Sequence, residues 1–305
     1  MDKIPHIDIS VSNYATGFLR MHNDTVSLIK LHDVHDLVIE SAYFLGGNGS
    51  ENYYHWMVEL LPKLQYIATK SGFERCANIV VSSRVLEFDS FKKTLVFSVK
   101  GFKFNIYYLD KKNTYRIRKL LVITKPSDVL FNSKNVLSRV DFCFYRKSSI
   151  DYTVKLVEDI VESNELDLLG VDFFERVFIG RMPGLARSYN QDEIEELLVT
   201  KYGFTTVFLE NYSIEEQFMI FKKAKCIAGP SGAAWTNLMF CNKNSVLISW
   251  LPDNISDFSV YSSLSSLLGL NMFFVEAEAD CVQELHTSYY LSPVRLARLI
   301  DEVLM

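Results

Sequence analysis

The sequence predicts an α/β protein of two Rossmann-like units, each a parallel sheet with helices on both faces. Three observations predict it. Short runs rich in β-branched residues alternate with helix-compatible segments along most of the chain, the pattern of parallel strands joined by crossover helices. The 305 residues suit two domains of ordinary size, and 49% hydrophobic residues supply a core for each. A small-residue turn, Gly229-Pro230-Ser231-Gly232-Ala233, follows the apolar run Ala224-Lys225-Cys226-Ile227 and leads into the helix-compatible Thr236-Asn237-Leu238-Met239-Phe240.

Taken in order, residues 1–45 read as short β segments, among them 25–29 and 36–40. The turn Gly46-Gly47-Asn48-Gly49-Ser50 then opens a helix expected over about 52–70. Strands are expected at 78–81, 104–108 and 120–123, with helix-compatible residues at 91–95 between the first two. An amphipathic helix near 154–163 precedes the second unit. There the order is strand 176–179, helix 192–201, strand 205–209, helix 214–224, strand 226–228, helix 236–241 and strand 245–248. A final helix, 293–305, is expected to pack back across the first domain. The expected domains are 1–150 and 151–305, with a boundary between about 145 and 172.

Composition narrows the function. A net charge of −5 argues against a general nucleic-acid binder. Five cysteines without a C-x-x-C pair point to thiols in a reducing compartment, not to disulfides or a zinc site. The first residues, Met1 to Asp8, show no basic segment followed by an apolar one, and no apolar run approaches the roughly 18–20 residues of a membrane span. A soluble, cytoplasmic protein is the expectation, with peripheral attachment to the inner membrane face and a homodimer both compatible with the sequence.

A strand, a small-residue turn and a helix start are the parts of an anion cradle: backbone N–H groups and the positive helix end face whatever sits in the turn. Gly232 and Ala233 would let a phosphate or diphosphate come close to the backbone. The same turn also suits simple close packing. Two doubly wound units imply a cleft at the C-terminal ends of their strands. Arg181 directly follows the strand 176–179, and Arg187 follows a Pro-Gly loop ahead of a helix. Two guanidiniums there would suit a diphosphate; the alternative is surface pairing with Asp192 or Glu195.

These residues resemble glycosyltransferase family 61, which holds protein O-linked N-acetylglucosaminyltransferases, plant xylosyl- and arabinosyltransferases and bacterial capsular polysaccharide enzymes. Three blocks carry the resemblance. Asn52-Tyr53-Tyr54-His55-Trp56-Met57-Val58-Glu59-Leu60-Leu61-Pro62-Lys63-Leu64 is similar to the family's His-Trp helix. Ile179-Gly180-Arg181, with Arg187, Asn190 and Glu193, resembles its arginine loop. The third block begins at Ser213-Ile214-Glu215-Glu216-Gln217 and ends in Gly229 to Phe240. Order and spacing agree over about 42–252.

The resemblance implies a GT-B fold, two Rossmann-like domains facing a central cleft, and inverting sugar transfer without a metal or other cofactor. It implies a nucleotide-diphosphate sugar as donor and a glycan or lipid-linked glycan as acceptor, in capsular or other surface polysaccharide biosynthesis. His55 would be the general base, its ordinary pKa of about 6.5 suiting proton abstraction, with Glu59 orienting it or acting as base itself. Arg181, Arg187, Ser231, Gly232 and Ala233 would hold the diphosphate; Thr236, Asn237, Asn190 and Glu216 would line or brace the donor site. Many relatives have His where this chain has Ser231, and an acidic residue where it reads Ile248-Ser249-Trp250-Leu251-Pro252. The basic segment Lys111 to Lys119 could meet a lipid-linked acceptor at an anionic membrane, or form a solvated strand edge. His6, His22, His32, His35 and His286 show no ligand spacing. Two other functions fit parts of the pattern: a non-catalytic nucleotide-sugar or glycan-binding module, and a serine α/β-hydrolase using Ser231 with Asp257 or Asp280 and His286.

Overall fold

The computed structural model describes residues 19–22, 27–29, 34–47, 49–69, 78–110, 113–129, 143–163, 174–182, 184, 187–256, 258–281 and 287–304. The chain is a mixed α/β protein with parallel sheets, and it falls into two compact units, Met1–Ser149 and Ile150–Met305.

In the first unit, β1 (Leu19–His22) and β2 (Ser27–Ile29) form an antiparallel ribbon. The main sheet comprises β3 (Val34–Leu45), β4 (Asn78–Ser82), β5 (Asn105–Leu109) and β6 (Thr114–Val122), in the order β5-β4-β3-β6 with every pair parallel. Ile79, Val80 and Val81 are all buried, as befits a central strand covered on both faces. From β3 the chain winds outward to β4 and β5, then returns to place β6 on the other side of β3. The winding therefore reverses between β3 and β6. A short antiparallel pair, β7 (Asp128–Val129) and β8 (Cys143–Phe144), follows.

The helix expected over 52–70 is not continuous. Residues His55–Leu60 form a π-helical turn, with Leu61 N–H donating to the Trp56 carbonyl at 2.9 Å, and α1 (Lys63–Thr69) starts only after Pro62. The cause is local: proline has no N–H to give, and its ring clashes with the carbonyl of an uninterrupted α-turn. Trp56 fixes the turn from the core side. It is fully buried, stacks on Phe91 of α2 (Asp89–Ser98) at 5.0 Å, and donates its indole N–H to Thr94 Oγ1 at 3.0 Å.

The helix α3 (Lys147–Ser163) carries the division between units. The second unit holds β9 (Arg176–Ile179), α4 (Gln191–Tyr202), β10 (Thr205–Val207), α5 (Ile214–Lys223), β11 (Cys226–Pro230), β12 (Val246–Pro252), α6 (Val260–Leu268), β13 (Asn271–Ala279), β14 (Tyr289–Tyr290) and α7 (Pro293–Leu304). Strand order is β10-β9-β11-β12-β13-β14, parallel except that β14 runs antiparallel to β13. Here the winding reverses between β9 and β11. Gly229 lies at that seam, where an added Cβ would stand 2.9 Å from Ile179 Cβ.

A core of Phe178, Ala228, Ile248, Trp250 and Val275 from the sheet meets Ile194 and Leu198 of α4 and Leu296 and Ile300 of α7. The final helix buries its apolar stripe within its own unit. Tyr202 OH donates to Asp301 Oδ1 at 2.8 Å and holds it there. Replacing Trp56 by Ala should cost about 3–5 kcal/mol through cavity formation alone, read as a lower denaturant midpoint at unchanged slope.

Candidate active site

In the second unit, the C-terminal ends of β9 and β11 bring Arg181 beside the Ser231 turn. Arg181 donates from Nη2 to the Ser231 carbonyl at 3.0 Å and from Nη1 to the Arg187 carbonyl at 2.6 Å, so one guanidinium ties the two loops together. Gln191 clasps the same residue from behind: its Oε1 accepts from Arg181 N–H at 2.7 Å and its Nε2 donates to Arg181 O at 3.0 Å. Arg187 has φ +63°, the left-handed region that a side-chain-bearing residue enters only when its surroundings hold it there. Its Nε has no hydrogen-bond partner, and among the described residues no carboxylate pairs with it. Burial first, and the Arg181 charge second, push its pKa down. Cationic charge is therefore concentrated here at an energetic cost that a bound anion would relieve.

The turn completes this cradle in altered form. The Ser231 N–H is not available, since it donates to the Trp250 carbonyl at 2.8 Å and extends the β11–β12 pairing. Among the described residues no acceptor meets the Gly232 and Ala233 amides. The following helix is 3-10, Ala233–Phe240, and begins three residues before the expected 236. Thr236 and Asn237 are fully buried; Asn237 Nδ2 donates to Gln217 Oε1 at 2.8 Å and braces α5 from inside, while Thr236 Oγ1 has no hydrogen-bond partner among the described residues. Asn190 spends both ends of its amide on the Leu291 backbone, at 3.0 and 2.9 Å. Glu216 accepts from the Ser213 amide at 2.6 Å while Ser213 Oγ accepts from Glu216 N–H, a complete capping box on α5. Asn190, Glu216 and Asn237 act as braces between elements or at a helix cap. Ser231 is buried and lacks a positive φ, unlike a serine exposed on a strained nucleophile turn. Asp257 and His286 lie outside the described residues.

In the first unit, the glycine turn after β3 leads into the π-helical turn and sets His55 above the β3–β6 seam. Four residues apart on a widened turn, His55 and Glu59 fall on one face: Nδ1 lies 2.9 Å from Glu59 Oε2. Glu59 is 0% exposed and His55 14%, so the carboxylate sits inside while the ring keeps an open edge. Lys125, just beyond β6, brings Nζ to 2.6 Å of the same Oε2 and 2.9 Å of Asp128 Oδ1. The angles at Glu59 fall short of well-aligned hydrogen bonds, so charge and proximity hold this contact more than direction does. Burial opposes the Lys125 ammonium, but its contacts with Glu59 and Asp128 outweigh that and raise its pKa. Lys63 is buried, gives its ammonium to the Gly46 carbonyl at 2.9 Å, and is pushed down to about 8 by burial and then by Lys125. Gly49, at φ +71°, lies against the imidazole; a Cβ there would come within 2.8 Å of Cγ and Nε2.

With both constellations at strand ends where the sheet winding reverses, the family comparison becomes decisive. The model of Glycosyltransferase 61 matches residues 53–248, well over half of the chain and inclusive of both constellations. The chain belongs to glycosyltransferase family 61. No curated protein matches it. Family 61 membership marks it as a glycosyltransferase, which works on a sugar donor and an acceptor.

For this family 61 chain, sequence reasoning missed Lys125, Asp128 and Lys63 around Glu59, and Gln191 behind Arg181. Two of these had a local signal: Lys63 stands within the His-Trp block, and Gln191 lies beside Asn190 at a helix start. Among the described residues, no group of three or more His, Cys, Asp or Glu could hold a metal ion, and no helix is long and apolar enough to cross a membrane. Cys143, Cys226, Cys241 and Cys281 are free thiols. Of the basic segment, Arg116, Arg118 and Lys119 lie exposed on the edge strand β6, Arg118 paired with Glu40 at 3.0 Å, while Lys111 and Lys112 lie outside the described residues. The side chains of His6, His22, His32, His35 and His286 also lie outside them. Gly49→Ala should displace the imidazole and lower turnover by roughly an order of magnitude or more, with a melting transition shifted by only a few degrees; steady-state kinetics beside a thermal scan would show it.

Proposed function

We propose that the protein is an inverting, metal-independent glycosyltransferase of GT-B type, moving a sugar from a nucleotide-diphosphate donor to a hydroxyl of a glycan or lipid-linked glycan. The observation that carries this reading is the convergence of Arg181, Arg187 and the Gly232 and Ala233 amides at the β9–β11 reversal. A leaving diphosphate needs fixed positive charge and donors placed before the reaction, and guanidiniums with backbone amides supply both in place of a divalent cation. Arg187, half-buried and short of a carboxylate, is the group an anion would neutralise.

The base is assigned to the first unit. Glu59 faces Nδ1 of His55, which places the ring proton on that side and the lone pair on Nε2. The acceptor hydroxyl gives its proton to Nε2 as its oxygen bonds to the anomeric carbon; the bond from that carbon to the diphosphate oxygen breaks, and its electron pair leaves with the diphosphate. One displacement from the opposite face inverts the anomeric centre. The capsular or surface-polysaccharide role, the cytoplasmic location at the inner membrane face and a homodimeric state belong to the same proposal and rest on the family resemblance.

Arg187→Ala should weaken nucleoside-diphosphate binding roughly 10- to 100-fold, the worth of a charge-assisted contact, in calorimetry across uridine, cytidine, guanosine and thymidine diphosphates. Unchanged affinity for every nucleotide that binds would remove the site. His55→Gln should lower kcat about 10²–10⁴-fold with nucleotide affinity kept; no turnover by the parent protein with any nucleotide sugar would favour the binding module. Transfer should persist in EDTA, and loss reversed by Mn²⁺ would refute the metal-free mechanism.

A further inference from the structure

We infer that Lys125 is a positioning residue for sugar transfer: through Glu59 it fixes which nitrogen of His55 receives the acceptor's proton. The inference rests on the reading of His55 as the base, and adds an element that the motif around His55 does not contain.

The starting point is a carboxylate in a difficult place. Glu59 has no exposed surface, and its Oε1 has no hydrogen-bond partner among the described residues. A buried carboxylate without compensation takes up a proton. What compensates it is Lys125 Nζ at 2.6 Å from Oε2, itself anchored to Asp128 Oδ1 at 2.9 Å, while Asp128 Oδ1 also accepts from Val129 N–H at 2.9 Å. The remaining groups around the carboxylate are weaker sources of charge. Lys63 on α1 is committed to the Gly46 carbonyl and loses its proton near pH 8. Tyr54, on the turn itself, is held neutral by burial and by Tyr145, with Cys143 of β8 behind it. Tyr54 OH donates to Tyr145 OH at 2.8 Å.

If Glu59 were protonated it would present an O–H to Nδ1. The imidazole would then carry its own proton on Nε2, the side facing the acceptor, where it cannot accept another. Lys125 prevents this by keeping the negative form of Glu59 favoured. The sign follows: removing the cation that lies 2.6 Å from Glu59 Oε2 favours the protonated form of the carboxylate. The acid limb of the pH–rate profile must then move to higher pH. A residue that merely supported the fold would lower activity at every pH and leave the limb in place.

The experiment uses the full chain with its best nucleotide sugar. Lys125→Met and Lys125→Gln should each move the acid limb of kcat/KM up by about one unit or more, an approximately tenfold loss near neutral pH that is largely recovered under alkaline conditions. Donor KM should stay within about twofold, since Lys125 lies outside the diphosphate site. Lys125→Arg should keep the parental limb. Imidazole nitrogen shifts of His55, measured by NMR without substrate, should show the ring proton on Nδ1 in the parent and on Nε2, or on both nitrogens, in Lys125→Gln at neutral pH. Should Lys125→Met fail to fold, the Gln and Arg variants still decide the matter. An unmoved limb with an unchanged tautomer, or an equal shift in all three variants, overturns the positioning role. Full turnover by His55→Gln overturns instead the reading of His55 as base, so the two failures are told apart.

Discussion

A carboxylate with no exposed surface does not stay ionised in a protein interior by itself, and the architecture of the first unit can be understood as the answer to that problem at Glu59. Its partners come from two directions. His55 arrives on the same turn, four residues earlier, because Pro62 and the π-helical geometry open the turn and bring the pair onto one face. Lys125 arrives from far along the chain, because β6 returns to pair with β3 and its C-terminal end falls beside the start of that turn. Remove the parallel β3–β6 pairing, and the cation no longer reaches the carboxylate. The glycine turn between β3 and His55 completes the arrangement, since Gly49 leaves the imidazole room that any side chain would take.

The second unit solves the opposite problem. There, two cationic groups are brought to neighbouring strand ends. Arg181 spends two donors on backbone carbonyls, which fixes the Arg187 loop to the Ser231 turn but cancels no charge. Arg187 is held in a left-handed conformation, partly buried, with its pKa depressed. Such strain and repulsion need support from neighbours. Gln191 gives it by clasping the Arg181 backbone, and so does the β-bridge between Tyr189 and Tyr289, with Tyr289 N–H donating to Ser188 O at 3.1 Å. Asn190 locks the same loop to Leu291.

What could be read in the sequence, and what could not, follows from the range of the forces involved. Strands such as Asn78–Ser82 and Arg176–Ile179 announce themselves because buried parallel strands require β-branched runs. Arg181 and the Gly232 turn were legible because strand ends and small-residue turns are local features. The break at Pro62 was also local, yet the helical periodicity of Tyr53 to Leu64 masked it. The helix α6 escaped because Ser262, Ser263, Ser265 and Ser266 dilute its apolar stripe, although Val260, Tyr261 and Leu264 are buried. Basic residues hid the true length of β6, since an edge strand can expose Arg116, Arg118 and Lys119. Lys125 and Asp128 could not be found at all, because nothing within ten residues of them shows that they meet Glu59. Thr236 and Asn237 show the converse: polar side chains at a helix start look available in a sequence, and these two are fully buried.

The two reversal points differ in electrostatics in a way that suits different chemical species. At β3–β6 the carboxylates of Glu59 and Asp128 share the ammonium of Lys125, and the His55 imidazole lies against the same Glu59 oxygen. On the proposed reading, the Nε2 side of that imidazole takes the acceptor's proton. At β9–β11 two guanidiniums lie beside the Gly232 and Ala233 amides, which meet no acceptor among the described residues. On the proposed reading, a leaving diphosphate gains negative charge as its bond to the sugar breaks, and cationic groups placed beforehand bind the later species more tightly than the earlier one. A chain with a net charge of −5 thus places its positive potential by loop geometry, and the same topological device, a reversal in the winding of a parallel sheet, serves both purposes.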